Sequence, residues 1–306
     1  LLHSLQGLEG DPKNVKIILI DNACKDNSVS FVKKRFPFVS IFSLETNEGF
    51  APALNKAVKA QKADWVCFLN NDVHVEPDWL ANLLKAAESI KAPCFASHIL
   101  DWEGQDTQFG GGTVNVFGKG FETQTIMADK PYEVFFPCGC GMLIRRDVFL
   151  DTGGFDDDYF MVYEDIDFGW RLRLFGHSTY LVPNARVMHH AHTSLAKEPY
   201  RKKAVYYERN SLATLYKNLN QENLRIVFPL AVRESLLRAK AVSGVGLPMR
   251  YNSDGMAMRQ AILDFLNALP KWDTKRDNLQ TRRVIDDQDL IPFMTDPTCI
   301  WSYTDE

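Results

Sequence analysis

No apolar stretch in the 306 residues approaches the length of a membrane-spanning helix, and no secretory signal is visible. The sequence therefore argues against a spanning helix and for a cytoplasmic location. Basic runs are missing as well. With 35 Lys and Arg against 39 Asp and Glu, the net charge of -4 gives no global pull toward polyanions, so nucleic acid is not an expected partner. Cysteine is scarce and scattered over Cys24, Cys67, Cys94, Cys138, Cys140 and Cys299. Cys138 and Cys140 have one residue between them rather than the two of a zinc knuckle, which counts against structural zinc. A disulfide framework is equally unexpected, because some of these residues sit in or beside apolar strand-like runs that suit buried thiols. Gly110, Gly111 and Gly112 do not carry a strand into a helix, as a phosphate-cradling loop would, and read as loop punctuation.

What is present describes an ordinary globular chain: 45% hydrophobic and 24% charged residues supply core for one large or two small domains. Residues 15–21 (VKIILID) read as a strand ending in an acid, and Asp26, Asn27 and Ser28 signal the start of a helix over 28–36. A strand over 39–44 and a helix over 49–62 follow, the helix carrying Ala51, Leu54, Ala57 and Val58 on one face. Another buried strand, 65–69, runs into Asn70, Asn71 and Asp72, and Pro77 opens a further helix. Strands alternating with helices at this spacing predict a doubly wound, mostly parallel α/β sheet with right-handed crossovers.

Ligands bind at carboxyl strand ends in such sheets, which gives Asp21 and Asp72 one crevice to share. An Asp aimed into that crevice offers the hard oxygen that Mg²⁺ or Mn²⁺ takes together with substrate phosphate oxygens. Ordinary turn chemistry would favour Asn and Asp there too. A second cluster, Glu164, Asp165 and Asp167, opens a helix in which Ile166, Trp170 and Leu174 recur every four residues. Asp165 points about 100° around the axis from Glu164. Asp167 lies one turn before Arg171 and reads as its structural partner. The run Asp156, Asp157, Asp158 reads as a solvated loop.

The blocks IDNACKDNS (20–28), NEGFAPALN (47–55) and FLNND (68–72) are followed in order by GCGMLIRRDVF (139–149), GGFDDDYFMVYEDIDFGWRLR (153–173), PNARVMHHAHTS (183–194) and RNSLATLYKN (209–218). Together they resemble family 2 glycosyltransferases of the rhamnosyltransferase-like branch, whose fold is GT-A, over about 21–218. The resemblance implies that Asp21 contacts the nucleobase while Asn47, Gly49, Phe50 and Asn55 shape the nucleotide pocket. It puts Asn70 first in a DxD-type triplet, with Asn71 beside it and Asp72 as ligand to Mn²⁺ or Mg²⁺ on the donor diphosphate. His189 aligns with a metal- or diphosphate-binding residue, and imidazole is an acceptable Mn²⁺ ligand. A zinc site made of His189, His190 and His192 is disfavoured by their crowding on one segment. Asp165 falls where the family keeps its general base, with Glu164 a partner for acceptor binding or base positioning. Arg145 and Arg146 could approach the diphosphate or merely cap the core edge. Residues 1–10 read as the end of a helix, so the expectation is that the first strand of the family fold, which lies upstream of Leu1, is missing.

The expectation is thus a GT-A-like catalytic domain over 1–195 with a helical C-terminal extension over 196–306, its helices near 200–218, 223–242 and 255–269. Residues 224–247 mix apolar side chains with Arg and Lys. They can pack on the catalytic domain, the favoured use, or lie on an anionic bilayer as a peripheral contact at the inner face of the plasma membrane. The implied activity is metal-dependent, inverting transfer of a sugar, rhamnose being the leading candidate, from a dTDP- or UDP-sugar to a glycan or lipid-linked acceptor in surface polysaccharide synthesis. The alternatives are a non-catalytic sugar-nucleotide-binding or scaffold protein and a nucleotidyltransferase on a similar sheet. The latter would favour a Gly- and Lys/Arg-rich loop after the first strand.

Overall fold

The computed structural model describes residues 1–9, 14–190, 199–242 and 255–295. After a short helix α1 (Leu2–Gln6) come β1 (Ile18–Asn22), α2 (Ser28–Arg35), β2 (Ser40–Leu44), α3 (Phe50–Ala60), β3 (Trp65–Leu69), β4 (Val73–Val75), α4 (Trp79–Ser89) and β5 (Cys94–Leu100); β1 to β3 and α4 follow the hydrophobic pattern, whereas β4 and β5 were not expected. Four three-residue strands follow, β6 (Thr107–Phe109), β7 (Gly112–Val114), β8 (Gly120–Glu122) and β9 (Tyr132–Val134). Then come β10 (Gly141–Arg145), α5 (Arg146–Asp151), α6 (Glu164–Leu174) and the long β11 (Thr179–His189).

The α/β class is as expected, but the sheet is mixed. Its main path is β3-β10-β5-β11-β4, with β6 on β5 and β9 on β11. β10 runs antiparallel to both of its neighbours, whereas β5 and β11 are parallel. β1 and β2 form a separate parallel pair. Among the described residues β1 bonds only to β2 and β3 only to β10, so the facing edges Ile18–Asp21 and Trp65–Leu69 flank a gap that opens into the cleft.

Beneath β3, the rings of Phe68, Phe149, Phe155 and Phe168 pack with centroids 5.1–5.3 Å apart. Each buried ring stabilises the fold by roughly 1.5–3 kcal/mol, and the cluster seats α6 against the sheet. Gly169 is what lets α6 come so close: a Cβ there would meet Phe136 Cα at 2.6 Å.

The extension comprises α7 (Tyr200–Asn218), α8 (Gln221–Val242), α9 (Gly255–Asn267) and α10 (Leu269–Gln280), followed by a 3₁₀ turn, Asp287–Phe293. The helix expected over 255–269 is found over Gly255–Asn267, and a further, unexpected helix, α10, follows Ala268 with Pro270 in its first turn, where a missing N–H costs nothing. The polar sequence of α10 hid it, because only Trp272, Arg276 and Leu279 are buried. The expected domain boundary falls on 191–198, outside the described residues.

One expectation is overturned here. Asp156 is not solvated but buried, paired with Lys217 of α7 and Lys275 of α10, while Asp158 holds Lys271 and Lys275. Burial pushes the Asp156 carboxyl up, yet the two ammonium groups outweigh it and hold it far below the usual range. The countercharges come from more than fifty residues away, so no local pattern could announce them.

Candidate active site

The cleft and adjoining gap enclose about 2550 Å³ and are lined on one side by Asp21, Asn22, Asn47, Gly49 and Phe50 and on the other by residues 160–166. Asn70, Asn71, Asp72, Glu122, Gly139 and His189 complete the wall. Of the residues expected at the site, only Asn55 stands apart. Its amide donates to Phe155 O (2.7 Å) and Asp157 Oδ1 (2.6 Å), and its Oδ1 accepts from Phe155 N (3.0 Å), so it is a buried strut beneath the cleft. Arg145 pairs with Asp147, and Arg146 donates to Val58 O, both in a separate depression.

At the nucleotide end the organising residue is Asn22, which the sequence did not single out. Its amide donates to Asn47 Oδ1 (3.0 Å) and Gly49 O (2.9 Å), and its Oδ1 accepts from Glu48 N (3.0 Å). Asp21 accepts from Cys24 N (2.9 Å), closing the turn after β1. Gly49 has φ +94°, and a Cβ there would strike Phe160 O at 2.5 Å. Its bareness allows Phe50 N to donate to Phe160 O (2.8 Å), joining the two walls backbone to backbone.

In the middle, the ladder of β4 and β11 sets His189 opposite Val73 and thereby beside Asp72, with Nε2 3.5 Å from Oδ1. His189 Nδ1 lies 3.3 Å from Gln108 Oε1. In the tautomer that donates from Nδ1 to Gln108, the Nε2 lone pair faces the Asp72 carboxylate, an arrangement that suits a shared cation. Two protein donors fit a Mn²⁺ or Mg²⁺ that draws its remaining oxygens from phosphate and water. Among the described residues no group of three His, Cys, Asp or Glu side chains forms a cation cage, and His190 instead stacks on Trp102 at 3.9 Å. His192 lies outside the described residues.

At the far end, Val162 (φ 69°) and Tyr163 (φ 77°) take left-handed backbone and turn the chain into α6. Two successive non-glycine residues there carry strain. Asn210 of α7 holds the bend, donating to Met161 O (3.0 Å) and Val162 O (2.7 Å). The bend sets both Glu164 and Asp165 on the cleft wall, Glu164 the more deeply buried of the two. Asp165 Oδ2 accepts from Gly139 N (3.2 Å) and Oδ1 from Ile166 N (2.9 Å). Burial raises the Asp165 pKa above the usual carboxylate range, the backbone donors opposing it. Glu164 is pushed up to about 8 by burial and then by the Asp165 charge, and its buried Oε2 has no hydrogen-bond partner among the described residues. Asp167 is wholly buried and pairs with Arg171 (2.7 Å) and Lys217 (2.9 Å), a structural role.

Glu122 escaped sequence reasoning, since nothing marks a three-residue strand. It stands at the cleft mouth, reachable by water but with protein on most sides. Burial and the Asp165 charge raise it to about 7, and His189 pulls the other way. It therefore lies within electrostatic reach of both the carboxylate at one end and the imidazole in the middle.

A sequence model described as Glycosyl transferase family 2 matches residues 1–153, half of the chain. The chain belongs to glycosyl transferase family 2. Within it, the chain is 29% identical over 214 residues to an N-acetylglucosaminyl-diphospho-decaprenol L-rhamnosyltransferase of Mycobacterium tuberculosis, covering 60% of this chain and 69% of the relative. To the rhamnosyltransferase WbbL of Escherichia coli it is 27% identical over 209 residues, covering 61% and 77%. Its fold is similar to that of GalNAc-T7, crystallised with UDP, GalNAc and Mn²⁺, at a TM-score of 0.57 and 16% identity. That match covers 87% of this chain and about half, 51%, of the other. This family 2 member is accordingly a glycosyltransferase of GT-A fold.

Proposed function

We propose that this glycosyltransferase moves rhamnose, with inversion, from a dTDP- or UDP-linked donor to a hydroxyl of a sugar carried on a lipid diphosphate, in surface polysaccharide synthesis. The observation that carries the reading is the pairing of Asp72 with His189 in the same cleft onto which Asp165 opens. The donor sugar follows both relatives, and the lipid-linked acceptor follows the one in Mycobacterium tuberculosis.

Asp21, Asn22, Asn47 and Gly49 receive the nucleoside, and Asn70 and Asn71 orient ribose or phosphate. Asp72 and His189 would hold Mn²⁺ or Mg²⁺. The chemistry such an ion supplies when bound is neutralisation of charge growing on the departing diphosphate. Asp165 takes the acceptor proton as the acceptor oxygen bonds to the anomeric carbon, and the nucleoside diphosphate leaves with the electron pair of the broken C–O bond. No enzyme-bound sugar intermediate is needed. A raised pKa suits Asp165 to proton abstraction, provided the pH keeps it ionised. Glu164 and Glu122, both protonated over part of the neutral range, can donate hydrogen bonds to acceptor hydroxyls.

The test is calorimetric titration of UDP, dTDP and GDP with Mn²⁺ and with EDTA, followed by product analysis with dTDP- and UDP-rhamnose. Binding in Mn²⁺ is expected to weaken at least roughly tenfold in Asp72→Ala. Equal affinity in Mn²⁺ and EDTA would sink the metal assignment.

A further inference from the structure

Helix α8 carries apolar side chains on its outer face as well as on its inner one. Toward the protein it buries Leu224 and the small residues Ala231, Ser235 and Ala239, while Ile226, Leu230, Leu236 and Leu237 stand 47–62% exposed. Interleaved with them are exposed Arg225, Arg233 and Lys240, and Glu222 is the single fully exposed acid of the helix among the described residues. These positions span roughly 140° of the helix circumference. The neighbouring α9 adds exposed Leu263, Leu266 and Arg259. The sequence favoured packing of the large apolar residues on the catalytic domain. The structure packs Leu224, Val227, Phe228 and Val232 on the protein together with the small residues, and leaves Ile226, Leu230, Leu236 and Leu237 outside.

We infer that this face is a docking surface for an anionic lipid bilayer. Leu and Ile side chains would enter the boundary of the acyl chains, while Arg and Lys, whose apolar stems reach outward, would meet lipid phosphates. A second copy of the chain is the poorer occupant, because two such faces would bring basic residues against each other. The inner side of the same helix is also linked to the cleft by buried charge. Glu208 of α7, held down at about 2 despite burial by Lys119 and Arg238, accepts from Ser235 and Arg238 of α8 and pairs with Lys119 at 3.0 Å. Lys119 lines the cleft beside β8. A bilayer seated on α8 would therefore bring a lipid-borne acceptor to a fixed position at the mouth; the purpose, though not the test, rests on the acceptor proposed above.

The experiment is co-sedimentation of the whole protein with vesicles of phosphatidylcholine alone or with an added anionic phospholipid, at low and high salt. Binding is expected only to the anionic vesicles and to fade with salt. Leu230→Glu with Leu237→Glu, and separately Arg225→Glu with Arg233→Glu, are each expected to weaken it roughly tenfold or more. Both pairs are exposed, so thermal melts and nucleotide binding should match the parent. Parent protein that ignores anionic vesicles, or variants that bind as well as it does, overturn the inference. So does a parent that self-associates through this face, seen by light scattering as a dimer lost in the Leu230→Glu, Leu237→Glu protein. Vesicle binding without any sugar transfer would leave the surface standing and refute the proposed function, which keeps the two separable.

Discussion

The two ends of the cleft are built on different physics. At the catalytic end, Asp165 stands on a helix clamped by buried charge: Asp156, Asp167, Arg171 and Lys217 meet there, and Asn210 braces the left-handed bend before it. At the nucleotide end, β1 and β2 pair only with each other among the described residues, their residues are mostly half-buried, and Asn22 ties the turn to the following loop. One end is stiff because removing any partner strands a buried charge. The other is held by neutral hydrogen bonds near solvent, each contributing about 1 kcal/mol. The difference teaches where each kind of failure should appear: in turnover at the stiff end, in donor affinity at the loose one.

The sharpest way to break that contrast is Asp165→Asn, expected to lower kcat by roughly 10²–10⁴ while nucleotide affinity stays within a factor of two. A loss of nucleotide binding instead would mean that the ends are not separate. Next, Asn210→Ala, which touches neither substrate, should cut kcat roughly tenfold through a misaimed Asp165, with donor KM unchanged. A drop in melting temperature with intact kcat would make Asn210 a packing residue only. At the loose end, Asn22→Ala should raise donor KM roughly fivefold and leave kcat alone; steady-state kinetics at saturating acceptor decide it. The smallest effect is thermodynamic. Glu164 titrates near 8 in the folded chain against an ordinary value near 4.5. Between those two pH values the unfolded chain releases a proton that the native state keeps, so Glu164 destabilises progressively as pH rises. Glu164→Gln should therefore gain melting temperature over the parent, by roughly a few degrees, as pH goes from 5 to 8. A difference independent of pH would contradict the buried, proton-holding Glu164.

Legibility in the sequence followed the same divide. Local periodicity exposed β1, α2, β2, α3, β3 and α4, because each announces itself within a dozen residues, and the Trp65–Leu69 strand was read without error, whereas the three-residue β4 went unread. The resemblance then led to Asp72, Asp165 and His189, which the fold brings to one cleft. What stayed hidden depends on distant partners: Lys217 and Lys275 turn Asp156 into a buried hub, and the packing of α8 leaves four large apolar residues on its outer face. Asn22 was within reach, adjoining Asp21 in the same block, and so was Asn210 in RNSLATLYKN; side-chain amides simply carry no periodic signature. Asn55 was read by position in its block, yet its helix turns it away from the cleft and into the core.

Gly49 holds no reacting group, and its part is to let two strands of backbone touch. In a saturating mutant library selected for sugar transfer it will nonetheless behave as an active-site position, tolerant of no replacement, because any side chain there must wedge the donor wall from Phe160. A genetic map of this protein would thus mark as essential a residue whose whole contribution is the atom it does not have.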